Sequence, residues 1–368
     1  MLRVLISSLA VAALGAADAL AQWITFAQES WRLAGDPATL PNCPEEKDYA
    51  WGDVNRDGWT DLVAVRKRPF TFVGPRTNLL LLNEGGILTD RTAEYVTNVL
   101  DVPGDQGFLT PTGDWDVKLV DVNHDGWLDI VTAVALGNGL PKHLSHPRIY
   151  INLGEDANGQ WLGFQFQNFR VPTLSPGVPR FAEVAAGDLN MDGFVDLFFS
   201  DFDASGALND APPDQDTNSR LLRNDGTGVF TDVTPGSFSN SFYVTGYGAA
   251  AAIADLNGNG RNDLVMVDTL TPAQKIKAAY QSRVPGFFDL FQDPLHMNQP
   301  YHLAVGDLNS DGRVDIVVQF VNVDDYLIND GNHPDGTVNW LGTSSRSRRT
   351  RSAPTWSSPT WIATACPT

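Results

Sequence analysis

Across 368 residues the chain carries 44 Asp and Glu against 25 Lys and Arg, a formal net charge of −19. Such acidity argues against nucleic acid and anionic membranes as partners. The length and the 42% hydrophobic content allow a sizeable core, and 33 Gly fit a turn-rich globular protein rather than a disordered one.

The first element is a secretory signal over residues 1–21. Arg3 supplies the positive start, Val4–Ala17 the apolar core, and Ala19-Leu20-Ala21 the small-residue site, with cleavage expected before Gln22. That apolar run is too short for a membrane span, and no later stretch is longer. The mature chain is therefore expected to be secreted, extracellular or at the cell surface, with no membrane span. Calcium is abundant there. Two cysteines, Cys43 and Cys366, give no disulfide framework.

Residues 22–342 are organised by one nine-residue acidic loop. It appears first as Asp53-Val54-Asn55-Arg56-Asp57-Gly58-Trp59-Thr60-Asp61, followed by the apolar run Leu62–Val65. It returns at 121–129, 188–196, 255–263 and 307–315, so successive starts lie 68, 67, 67 and 52 residues apart. Oxygen donors recur at fixed positions. Position 1 is Asp53, Asp121, Asp188, Asp255 and Asp307. Position 3 is Asn55, Asn123, Asn190, Asn257 and Asn309. Position 5 is Asp57, Asp125, Asp192, Asn259 and Asp311. Position 9 is Asp61, Asp129, Asp196, Asp263 and Asp315. Position 7 offers a backbone carbonyl, from Trp59, Trp127, Phe194, Arg261 and Arg313.

This donor set fits Ca2+, a hard cation that takes six to eight oxygens. About five ions are expected, one per loop, with a structural role. The loop with Asn259 has two carboxylates instead of three and is expected to bind most weakly. An EF-hand needs Glu at position 12. Here position 12 is Ala64, Thr132, Phe199, Met266 and Val318, and the flanks are strand-like. The ion is expected at a strand-to-strand turn. The alternative, that Asp and Asn are only turn formers, suits one loop better than five.

A second signal follows each loop except the fourth: an apolar strand ending in Asn-x-Gly, at Asn83–Gly85, Asn152–Gly154, Asn224–Gly226 and Asn329–Gly331. Asn/Asp-Gly supplies hairpin turns. Each unit thus reads as strand, acidic loop, strand, connector, strand, turn, strand. The fold class is all-β, a β-propeller of four-stranded antiparallel blades. A sandwich gives no reason for the long period. Two insertions, Leu100–Asp116 and Asp201–Arg220, are expected as exposed loops.

No H-E-x-x-H or G-x-S-x-G occurs, so no enzyme is expected. The pair His143 and His146 is a weak signal. Trp51, Trp59, Trp115 and Trp127 read first as blade-packing core and second as sugar-stacking surfaces.

The D-x-N-x-D-G-x-x-D loop leading into a strand, with Gly52, Gly187 and Gly306 ahead of it and the Asn-x-Gly hairpin after it, resembles the FG-GAP/VCBS repeat. That repeat also builds the propeller head of integrin α chains. Tyr247-Gly248-Ala249-Ala250 is similar to the FG-GAP signature in weakened form. The resemblance covers about residues 23–342. It implies a calcium-stabilised propeller of about seven blades, used for cell adhesion or recognition of an extracellular protein or glycan. The alternative it implies is a lectin or a propeller-type polysaccharide-active enzyme.

Beyond Gly342 the composition turns to Ser and Arg. One reading is a basic, disordered tail over 343–368. The genetic code offers another. Each codon's third base can be read with the next codon's first two. Trp361 followed by Ile362 then encodes an obligatory Asp. With G at the free wobble positions, residues 359–368 become Asp-Val-Asp-x-Asp-Gly-Val-(Pro/Ser)-Asp. A sixth loop would start near 360, 53 residues after Asp307. The sequence thus predicts a frameshift between about Trp340 and Arg346, a further repeat, and an artefactual Cys366. The chain as given would be an incomplete propeller with an unpaired edge.

Overall fold

The computed structural model describes residues 30–34, 46–66, 76–135, 140–175, 177–201, 216–245, 248–269, 275–296, 300–320 and 325–342. The signal segment 1–21, Cys43, most of the second insertion, Tyr247 and the tail 343–368 with Cys366 lie outside these residues.

Five antiparallel sheets follow one another along the chain, each a meander of four strands in sequence order. The first holds Glu46–Gly52, Asp61–Arg66, Leu79–Asn83 and Leu88–Asp90. The second holds Asp114–Val120, Asp129–Val134, Arg148–Asn152 and Phe164–Phe166. The third holds Phe181–Gly187, Asp196–Asp201, Arg220–Asn224 and Phe230–Asp232. The fourth holds Ala251–Ala254, Asp263–Asp268, Lys275–Gln281 and Phe288–His296, and the fifth Pro300–Gly306, Asp315–Phe320, Asp325–Asn332 and Val338–Gly342. Short parallel strands extend the first two sheets at their fourth strand, Leu33–Ala34 on one and Asn98–Val99 on the other. The helices among the described residues are single turns, such as Thr92–Tyr95 and Lys142–Ser145. None is long and apolar enough to cross a membrane.

Every acidic loop is the hairpin between the first and second strands of its sheet. Position 9 pairs with the residue just before position 1: Gly52 with Asp61, Val120 with Asp129, Gly187 with Asp196, Ala254 with Asp263, Gly306 with Asp315. Side chains alternate across a strand, so positions 10 and 12 face one neighbouring sheet and positions 11 and 13 the other. Val63 and Val65 pack with Ile130 and Tyr150 of the second sheet. Val131 and Ala133 pack with Leu197 and Phe199 of the third. Phe198 packs with Leu264 and Met266 of the fourth, and Val265 and Val267 with Ile316 and Val318 of the fifth. Sandwiching explains why these second strands are apolar without polar alternation: both faces are buried.

The first strands lie side by side in chain order, from Glu46–Gly52 through to Pro300–Gly306. At one such border Lys118 Nζ reaches Asp116 and, across the sheets, Glu183 at 3.0 Å. Burial pushes both carboxyls up. The architecture is consistent with propeller blades. Among the described residues no contact of comparable extent joins the fifth sheet to the first, and closure is not detected.

The first insertion departs from its expected exposure at a few residues. Asp105 within it forms a bidentate pair with Arg148, both bonds 2.9 Å and both side chains buried. Phe108 is buried beside them, edge-on to Tyr150 at 4.8 Å. Asp114–Asp116 already belong to the buried first strand of the second sheet. The insertion is pinned at Asp105 and Phe108, while Leu100, Asp101, Pro103, Gly104, Gln106 and Leu109 are exposed as expected.

Candidate metal centres

The five loops share one hydrogen-bond skeleton. In each, position 1 accepts the position 5 N–H through Oδ1 and the glycine N–H through Oδ2. The glycine bonds are 2.9, 2.7, 2.9, 2.7 and 2.8 Å in chain order. The position 3 amide oxygen accepts the same position 5 N–H in all five. Position 5 accepts the position 7 N–H at 2.8 to 2.9 Å. The oxygens of positions 1, 3 and 5 are thereby gathered at the exposed end of each loop. Turning the chain so tightly needs left-handed backbone. Gly58 has φ 89° and Arg56, at position 4, has φ 59°. Glycine is the residue that takes this region without strain.

Position 9 lies at the buried end. Its Oδ2 accepts the position 2 N–H, and its Oδ1 accepts an N–H at the end of the third strand. For Asp129 these bonds are 2.9 Å from Val122 and 2.8 Å from Asn152. Asp61, Asp196, Asp263 and Asp315 repeat the arrangement. Burial pushes the Asp61 and Asp196 carboxyls up to about 6 and those of Asp129 and Asp263 up to about 7. The backbone N–H bonds oppose this rise. Among the described residues no three His, Cys, Asp or Glu side chains form a ready-made cage. The structure brings positions 1, 3 and 5 together and places position 9 behind them, engaged with the backbone.

The third-strand amide does a second task that the sequence reading did not foresee. Asn152 Nδ2 donates to the carbonyl of Val54, in the loop of the preceding sheet, at 2.8 Å. Asn224 does the same to Val122, Gln281 to Leu189 and Asn329 to Leu256, at 2.7 to 2.8 Å. So the Asn of Asn-x-Gly is an inter-sheet tie as well as a turn residue. Gln281 serves in the fourth sheet, where the Asn-x-Gly motif is missing. Loops also touch directly. The Arg56 guanidinium lies over the Trp127 ring at 3.9 Å and donates to the Gly126 carbonyl, and His124 meets Phe194 edge-on at 5.6 Å.

Loop four keeps the skeleton with one difference. Its position 3 amide, Asn257, donates to the Gly336 carbonyl at 3.2 Å, whereas Asn123 donates to Asp125 at 2.8 Å. The donors at all five loops are hard oxygens, the chemistry that Ca2+ requires.

Other expected residues fall elsewhere. Trp115 is buried in the core, Trp127 is half-buried, and Trp51 and Trp59 are exposed. His146 is a satisfied core histidine: Leu174 N–H donates to its Nε2 at 3.0 Å and its Nδ1 bonds the Ser145 hydroxyl.

Residues 206–266 match the family model of the FG-GAP-like repeat. The matched stretch runs from the second insertion through the third and fourth strands of the third sheet and across loop four into the second strand of the fourth sheet. No curated protein matches the chain.

Proposed function

We propose that this chain is a secreted, non-enzymatic, calcium-stabilised β-propeller of FG-GAP repeats that presents a loop face to an extracellular protein or glycan. The observation that carries the reading is the common skeleton of five loops, which gathers hard oxygens at one end of every sheet. The carboxylates at positions 1 and 9, the position 5 carboxylate (in loop four the Asn259 amide oxygen), the Asn amide oxygen at position 3 and the carbonyl at position 7 would hold each ion. A bound Ca2+ would supply charge neutralisation and fix the hairpin. Because position 9 is hydrogen-bonded to the third strand, and the third-strand amide to the preceding loop, each filled loop would stiffen two sheets at once. The test is a melting curve with calcium and with EDTA. Chelation is expected to lower the Tm, and an unchanged curve would sink the proposal. Glycan arrays and protein capture, each with and without calcium, then separate the two ligand classes.

A second reading has a specific feature in its favour. A cleft of about 540 Å3 lies on the fourth sheet, away from the loops, lined by Asn240, Asp268, Lys275, Lys277, Phe291 and Asp293 among others. Paired carboxylates beside cationic and amide groups suit a polar sugar. Product release from an acidic polysaccharide would favour this lectin or polysaccharide-active alternative.

A further inference from the structure

The cations of this acidic chain mostly have partners. Arg91 pairs with Glu84, Arg148 with Asp105, Arg220 with Asp232 and Arg313 with Asp311. The side chains of Arg223, Arg261 and Arg283 have no ion pair, hydrogen bond or ring contact among the described residues. All three come to the loop end of the border between the third and fourth sheets. Arg223 is exposed on the third strand of the third sheet, just before the tying Asn224. Arg283 is exposed in the turn Ser282–Phe287, which joins the third and fourth strands of the fourth sheet. The carbonyl of Asn262, next to Arg261, accepts Gln281 Nε2 at 2.9 Å, which puts Arg261 beside the same turn. The turn sits against loop three, where a Cβ on Gly286 would come 3.3 Å from that of Asn190.

Between Arg223 and this turn lies a cleft of about 400 Å3, walled by Val233, Pro235, Val284, Pro285 and Phe287. Val284 is 62% exposed. The turn is preformed: Ser282 N–H donates to the Phe287 carbonyl at 2.8 Å, and the Ser282 hydroxyl accepts the Val284 N–H at 2.9 Å. Among the described residues Asp232 is the one carboxylate lining the cleft. It is already taken by Arg220 at 3.1 Å and by the Thr234 hydroxyl. A rigid apolar slot beside unpaired guanidinium groups is complementary to an apolar side chain flanked by carboxylates. We infer that this cleft takes an acidic segment of an extracellular protein, with one apolar residue in the slot and its flanking carboxylates on Arg223 and Arg283. The inference rests on the loop-face reading above. It selects protein over glycan because the walls are mainly hydrocarbon, whereas a sugar needs polar groups to fix its hydroxyls.

The test is fluorescence anisotropy of the full chain, in calcium, with a labelled pentapeptide that carries one leucine between two pairs of glutamates. Binding is expected, and it should weaken as salt rises. Arg223→Glu combined with Arg283→Glu is expected to weaken it at least about tenfold. Val284→Ser is expected to weaken binding of this peptide and to leave unchanged that of the same peptide with serine for leucine. The three substituted side chains are exposed, so melting curves of the variants should match the parent's. No binding by the folded parent, binding that survives the double substitution, or a Val284→Ser effect equal for the two peptides overturns the inference. So does tighter binding of a sulfated oligosaccharide through the same two arginines, because the patch would then serve a glycan. The melting curve in EDTA reports on the loops and this titration on the cleft, so failure of the one is distinguishable from failure of the other.

Discussion

In the second sheet the third strand begins with Arg148, whose guanidinium is buried against Asp105, bonded to the Tyr150 hydroxyl at 2.6 Å and set over the Phe166 ring. In the fourth sheet the matching residue is Lys277, which also lies four positions ahead of the inter-sheet amide. Its ammonium donates to the carbonyls of Phe242 and Val244. The amides themselves are Asn152 and Gln281, and the loops ahead of them carry Asp125 and Asn259. Yet the glycine bond that closes each loop is 2.7 Å in both. The hairpin's shape therefore depends on positions 1, 6 and 9, which the two loops share. Charge at position 5 and the anchor of the third strand are free to differ.

The largest break in this comparison is expected from Asp105→Ala. It would leave a fully buried guanidinium without its carboxylate, a change that costs about 3–5 kcal/mol in buried pairs. Chemical denaturation would measure it. A cost near zero would mean that the insertion is not an anchor of the second sheet. Next in size, Asp129→Ala and Asp263→Ala each strand two buried N–H groups. Both are expected to cost roughly 3 kcal/mol in EDTA, the sum of two unsatisfied donors. Equal costs would support a shared backbone role for position 9 in the two sheets. A cost at Asp129 alone would break the parallel.

The hairpins and their order were legible in the sequence, because each depends on residues adjacent in the chain. The anchors were not. Asp105 and Arg148 lie 43 residues apart, one of them inside a Gly- and Pro-rich insertion. Asn152, Asn224 and Asn329 were legible as Asn-x-Gly turn residues, but their tie to the preceding sheet was not, because the carbonyls they reach lie 98, 102 and 73 residues back in the chain. Gln281 also replaces the expected Asn. The candidate oxygens at positions 1, 3 and 5 were legible because the loop is local. The backbone engagement of position 9 was not, since its second partner comes from another strand.

In acid the second sheet should lose a contribution that the fourth sheet lacks. The His146 ring is held neutral by burial, which pushes its pKa from 6.5 down to about 4. The sign follows from proton counts. Between those values the unfolded chain binds the proton and the folded chain does not, so stability falls as the pH drops below 6.5. From pH 7 to pH 5 this group should remove about 2 kcal/mol. His146→Gln is expected to flatten that part of the profile in denaturation measured at both pH values. A smaller change is expected at loop four. Asn259→Asp restores the third carboxylate, and calcium affinity there should rise about tenfold, about 1.4 kcal/mol. Calorimetric titration of the variant against the parent would read it, and unchanged binding would mean that loop four takes no ion.

The smallest effect is expected at Lys277, and it is the sharpest test of the contrast with Arg148. Burial lowers the Lys277 pKa from 10.5 to about 8. Near pH 7 the folded chain therefore carries a buried ammonium, compensated by two carbonyl bonds. Lys277→Met removes the cost of burying the charge and loses those bonds, and the thioether fills a similar volume. Replacing a buried ion by an apolar group of matching size is often neutral, so the change should stay within about 1 kcal/mol at pH 7. Above pH 8 the two chains should separate. The parent gains stability as pH rises towards 10.5, because its unfolded state still holds a proton that its folded state has released. The methionine variant lacks that gain. Denaturation at pH 7 and at pH 9.5 would show both features. A loss as large as that of Asp105→Ala would make Lys277 an anchor of equal weight, and the fourth sheet would no longer differ from the second in how its third strand is held.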